Sequence, residues 1–172
     1  MKDIIDKLAS YNIFNYLFPG ILFAVIVSRY TPYFMVVDDI IVSVFVYYFY
    51  GLVISRIGSL LIEPILRKTN FAQFAPYAEY VAASKADEKI EILSEINNMY
   101  RTLISVLICI LSIKVYSRIE HTYAWFAEYT PSVLLILLLV LFVYSYKKQT
   151  EYIVSRVMGP QKGSGSDTEK EK

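Results

Sequence analysis

The run IIVSVFVYYFYGLVISRIGSLLI, residues 40–62, restricts this chain more than any other feature. Its only charge is Arg56. About 23 helical residues rising 1.5 Å each extend for roughly 35 Å, enough to cross a bilayer with some tilt. Gly51, Ser55 and Ser59 recur within it at a spacing of four. They form one helix face on which a second backbone approaches closely inside lipid, so they are the helix-packing candidates. Arg56 lies beside that stripe, and a charge at such depth needs a partner, water or a snorkelling route to the interface. Glu63 follows two turns later as the second polar group of the span.

Composition supports a membrane protein of one domain. Of 172 residues, 56% are hydrophobic and only 19% charged, below the quarter or so usual in soluble domains. A net charge of +1 gives no electrostatic case for nucleic acid as a direct partner. The single cysteine, Cys109, excludes an intrachain disulfide and an all-cysteine metal site, and in an apolar run it reads as a small hydrophobe. One histidine, His121, leaves too little material for a zinc site or a catalytic triad.

Taken in order, residues 1–12 form an amphipathic segment with Ile4, Ile5 and Leu8 on one face, suited to the membrane interface. Residues 13–28 are a short first span. Pro19-Gly20 interrupts its opening turns, and regular helix is expected from Pro19, with Pro19 and Gly20 as hinge candidates. Residues 29–39 are a loop whose Tyr30, Tyr33 and Phe34 fit an aromatic belt. After the span at 40–62, Pro64 removes a helix hydrogen bond, so a kink or an end is expected there and Pro64 is the third hinge candidate.

Residues 77–100 read as helix of soluble composition, with Lys85, Glu88, Glu91 and Glu95 among small and aliphatic residues. These four are the partner-contact candidates. No proline separates this segment from the third span at 100–116, so one helix is expected from about residue 83 to 116. Residues 117–130 read as a polar, aromatic loop holding His121, Trp125 and Tyr129. Pro131 opens the fourth span, which Lys147-Lys148 stops near 146, and an interfacial helix is expected to follow to 158. GSGSDTEKEK is a disordered tail by composition, and GSGS resembles an added linker.

Lys2, Lys7, Arg67, Lys68, Arg101, Lys147, Lys148 and Arg156 fall on one side of four such spans, against Arg29, Lys114 and Arg118 on the other. The positive-inside rule makes the first side cytoplasmic. The expected architecture is therefore all-α: an integral membrane four-helix bundle, N-in and C-in, with a cytoplasmic helical insert over residues 63–99.

No enzyme signature is present: HExxH, GxSxG and a phosphate-binding glycine loop are all missing. Neither catalytic residues nor a cofactor nor a metal site is expected. The four short spans also carry no inverted repeat of the transporter kind.

The most specific stretch is SYNIFNYLFPGILF, residues 10–23, with the Glu63-Pro64 step after the second span. Together with the four-span layout and charged insert, it resembles the KwaA family, the membrane subunit of the Kiwa bacterial anti-phage defence system. The resemblance covers about a tenth of the chain. It implies a homo-oligomer, a tetramer in the family, in the bacterial inner membrane. It also implies a sensor of phage at the envelope that docks a cytoplasmic, DNA-binding KwaB-like effector. Two other functions fit the residues: a pore-forming effector whose Arg56 and second-span tyrosines line a wet path, and an accessory subunit of a transporter. Membrane lipids are partners under each.

Overall fold

The computed structural model describes residues 12–123 and 125–158. The amphipathic segment at the start of the chain lies almost wholly outside these residues, as does the tail from 159 onward. Every regular element described is helical. The helices are α1 (Ile13–Tyr30), α2 (Ile40–Lys68), α3 (Tyr77–Ala86), α4 (Glu88–Thr122) and α5 (Trp125–Met158). All but the short α3 are long and apolar enough to cross a membrane.

Local chemistry sets the helix ends. Asp39 caps α2, its carboxylate accepting from the Val42 N–H at 2.9 Å. At the other end Asn70 takes a left-handed φ of 54°. The Phe71 N–H bonds the Leu66 carbonyl and the Asn70 N–H bonds the Arg67 carbonyl, the paired bonds of a Schellman cap.

Asp87 divides the helix expected over 83–116. Its backbone is extended (φ −140°, ψ 111°) and its side chain accepts from the Lys89 N–H, so α3 stops and α4 begins afresh. The loop expected at 117–130 is nearly all helix, and Pro131 sits inside α5, not at its start. The charged and aromatic residues there extend the helices beyond their apolar stretches. α4 has 35 residues and α5 has 34, or roughly 50 Å each.

Two prolines are carried through by one device. Residues Ile13–Leu17 and Gly58–Ile62 are π-helical turns, each closed by an i→i+5 bond: Phe18 N–H to the Ile13 carbonyl, and Glu63 N–H to the Gly58 carbonyl. Pro19 and Pro64 follow one residue later. The wider turn makes room for the ring, which in a regular helix would strike the carbonyl four residues back. Helix therefore begins ahead of Pro19, and α2 continues past Pro64 to Lys68. Regular α-helix begins at Phe18, one residue before the Pro19 start expected, with a π turn as its irregular opening; at Pro64 an end of the helix is corrected, since α2 runs on.

α1 and α2 cross with backbones in contact. A Cβ on Gly20 would fall 1.7 Å from the Tyr47 carbonyl oxygen, and one on Gly51 would fall 1.7 Å from that of Tyr16. α4 packs across both. The interior they share is divided along its length. Toward the 31–39 loop it is apolar, built on Phe23, Val27, Ile54, Val106 and Ile110. Toward Pro64 the buried residues are Ser55, Ser59, Glu63, Thr102 and Ser105.

α5 stands outside this core. Among its described residues only Ser145 is fully buried, and contact follows the seam Leu138, Phe142, Ser145, Lys148, spaced three and four as on one helix face. The packed unit is thus three helices with a fourth leaning on α2, a looser arrangement than the four-helix bundle expected.

Candidate functional site

Glu63 is the centre of the polar half. It is 8% exposed, and the π turn before it rotates it away from the face it would occupy on a regular helix. Three cations reach its carboxylate. Arg101 Nη1 from α4 donates to Oε2 at 2.5 Å; Lys148 Nζ from α5 and Arg67 Nη2 from its own helix lie 3.5 and 3.7 Å from Oε1. One carboxylate so enclosed joins α2, α4 and α5. Removing a partner from a buried pair leaves a charge uncompensated, which is far costlier than the pair's net worth.

Lys148 has a second role. Its ammonium donates to the Ser59 carbonyl at 2.7 Å and to Ser59 Oγ at 2.8 Å. That carbonyl has no donor left in its own helix. The Glu63 N–H, its regular partner, bonds Gly58 instead, and the next candidate is Pro64, which has no N–H. The lysine thus satisfies a backbone acceptor that the proline and π turn together leave open.

The small-residue stripe faces three different neighbours. Gly51 meets the Tyr16 backbone of α1, Ser55 lies 3.4 Å from Thr102 Oγ1 of α4, and Ser59 holds Lys148 of α5. Thr102 itself donates to the Asn98 carbonyl at 2.9 Å. Gly58, which the sequence reading did not single out, sits tightest against α4: a Cβ there would fall 2.5 Å from Ser105 Oγ.

Arg56 is half-buried and makes no hydrogen bond or ion pair among the described residues. It joins neither Glu63 nor the asparagines at 97 and 98. The second-span tyrosines are also accounted for without an opening: Tyr48 packs edge-on against Tyr16, Tyr50 against Phe23, and Tyr47 Oη accepts from the Val37 N–H at 3.2 Å. No group of three or more His, Cys, Asp or Glu able to hold a metal occurs among the described residues.

At the opposite end, Tyr33 donates a short hydrogen bond to Glu120 Oε2, and Tyr116 and Thr130 share another. Burial and then the Glu120 carboxylate hold the Tyr33 phenol protonated well above its ordinary range. This closes the 31–39 loop over α4 and fixes the start of α5.

The four partner-contact candidates lie on two helices. Lys85 is on α3 and exposed; Glu88 and Glu91 are exposed on α4, and Glu95 is half-buried. Beside the acids are four apolar side chains open to the surroundings: Ile92 (52% exposed), Leu93 (64%), Ile96 (39%) and Tyr100 (59%). At 3.6 residues per turn these four share an arc of about 100°, with Glu88, Glu91 and Glu95 along one edge. Helical periodicity alone marks Leu93 and Ile96 as sharing a face but does not say whether that face is covered. No family model matches this chain, and no curated protein or solved structure does either.

Proposed function

We propose that this chain is a membrane-embedded scaffold that receives a cytoplasmic protein on the first four turns of α4. The observation that carries the reading is the apolar seam Ile92, Leu93, Ile96, Tyr100 edged by Glu88, Glu91 and Glu95. It lies on the charged part of a helix that continues without a break into an apolar span. Contiguous apolar surface rimmed by charge is the usual form of a protein contact site. The unbroken α4 supports a mechanical link, because a shift of the span moves the seam with it. Arg101 and Glu63 tie that helix to α2, and Lys148 ties in α5.

The basic residues around Glu63 support the orientation in which this end, with both termini, faces the cytoplasm. The resemblance to the KwaA family supports placing the scaffold in a bacterial inner membrane as a homo-oligomeric sensor of phage. It also gives the partner a class, a DNA-binding effector. The role requires no catalysis and no cofactor. α5 turns most of its apolar side chains outward, surface suited to lipid.

A second reading, a pore that depolarises the membrane, is favoured by the buried hydroxyls leading to Glu63. Membrane potential in cells overproducing the protein separates the two. The scaffold leaves it unchanged, whereas a pore collapses it. For the scaffold itself, purification in mild detergent from the native host should retain one cytoplasmic protein in fixed ratio. Its loss on Glu91→Arg with Glu95→Arg supports the seam, and its full retention by that double variant would overturn it.

A further inference from the structure

We infer that the cluster of Arg67, Arg101 and Lys148 is a binding site for the phosphate of an anionic lipid headgroup. Three formal positive charges surround one negative charge, Glu63, so the site holds excess positive potential at the point where the apolar stretches of α2, α4 and α5 all end. That level is where lipid phosphates lie, and basic pockets between spanning helices attract them.

The donors are unevenly used. Lys148 commits all three of its N–H groups, two to Ser59 and one to Glu63, and contributes charge alone. Arg101 uses Nη1 for Glu63, while its buried Nε has no acceptor among the described residues. Arg67 makes only the 3.7 Å contact with Glu63, and its side chain is 61% exposed. A guanidinium carries five donors in a planar fork that matches phosphate oxygens, so the exposed Arg67 keeps donors for an incoming anion while the more buried Arg101 adds charge behind it.

Aromatic rings fix the surroundings. The Arg67 guanidinium lies over the Phe74 ring at 4.6 Å from its centroid, the Lys148 ammonium lies 5.9 Å from that of Tyr152, and Tyr152 packs on Tyr77. These contacts hold Arg67 in place, which lowers the ordering cost on binding. The inference does not depend on the scaffold reading: the site stands on α2, α4 and α5, and the partner seam on α4 lies outside it.

The test is a titration of the full chain in detergent with short-chain phosphatidylglycerol, phosphatidylcholine and inorganic phosphate, read by native mass spectrometry. Saturable retention of phosphatidylglycerol is expected, with weaker retention of phosphatidylcholine and no displacement by inorganic phosphate at equal concentration. Arg67→Gln, chosen because its side chain is exposed and its loss leaves Glu63 paired, should weaken phosphatidylglycerol binding about fivefold. The helical circular dichroism should not change. Lys85→Gln should leave binding as it is. Equal retention of both lipids, or binding indifferent to Arg67→Gln, would overturn the inference. Displacement by inorganic phosphate would assign the site to a free anion and overturn the lipid source.

Discussion

Gly20 and Gly51 pack backbone against backbone: a Cβ on Gly20 would lie 2.9 Å from the Gly51 amide nitrogen as well as inside the Tyr47 carbonyl. The contact is reciprocal, since the place a Gly51 Cβ would take is filled by the Tyr16 carbonyl. Neither obstacle is a flexible side chain. Gly20→Ala and Gly51→Ala should each destabilise the protein by about 2–4 kcal/mol, because α1 and α2 must separate to admit the methyl group. Once one alanine has parted the helices the second meets less resistance, so the double variant should lose less than the two single losses together. Reversible unfolding in mixed micelles reads both quantities.

Lys148 is the attachment of α5 to the core at the charged end. Lys148→Met removes the donor to the Ser59 carbonyl and should free the end of α5, at a cost of about 2 kcal/mol. A distance between spin labels on α5 and α2, at exposed positions such as Tyr146 and Leu61, should broaden in the variant. An unchanged distribution would mean that the remaining contacts, Phe49 with Phe142, Tyr77 with Tyr152 and Tyr116 with Thr130, hold α5 without the lysine.

Pro64 and Lys148 are coupled through one carbonyl. Pro64→Ala supplies an N–H that reaches the Ser59 carbonyl in the π turn, leaving the lysine nothing to satisfy there. Lys148→Met should therefore cost about 1 kcal/mol less in the Pro64→Ala background than in the natural sequence. Additive losses in the double-mutant cycle would contradict the orphaned carbonyl.

The Tyr33–Glu120 contact has a definite pH signature. Tyr33's raised pKa means the folded state binds the phenolic proton more tightly than the unfolded chain. Its contribution is complete below the ordinary tyrosine value near 10 and is lost only as pH rises through the higher folded value. Proteolytic nicking of the 31–39 loop should thus be constant from neutral pH to about 9 and increase in stronger alkali. Tyr33→Phe should show the alkaline rate of nicking already at neutral pH.

The four helices long and apolar enough to cross a membrane were legible because runs such as 40–62 announce themselves by apolar length. Helix boundaries were less so. Asp87 was readable as a cap in hindsight, but alanine and lysine on either side kept the helical pattern going. The polar stretch at 117–130 looked like loop because hydropathy reports burial, not backbone form.

Glu63 was singled out, yet its partners were not, since Arg101 and Lys148 come from helices 38 and 85 residues away. A signal was present: Glu63, Arg67, Arg101 and Lys148 all fall at the same end of the apolar stretches of their helices, and an acid among three basic flanks is a natural hub. The π turns left no mark beyond Pro19 and Pro64 themselves. Arg56 drew notice as the charge of the span, but the described residues give it no partner.

Photo-crosslinking from the α4 seam tests the scaffold most directly. A photoreactive amino acid placed at Leu93 or Ile96, with Leu135 of α5 as the membrane-facing control, is irradiated in the native host. The account predicts one cytoplasmic protein captured from both seam positions and none from Leu135, with capture lost on Glu91→Arg and Glu95→Arg. Crosslinks at 93 and 96 only to lipid or to other copies of this chain would contradict it.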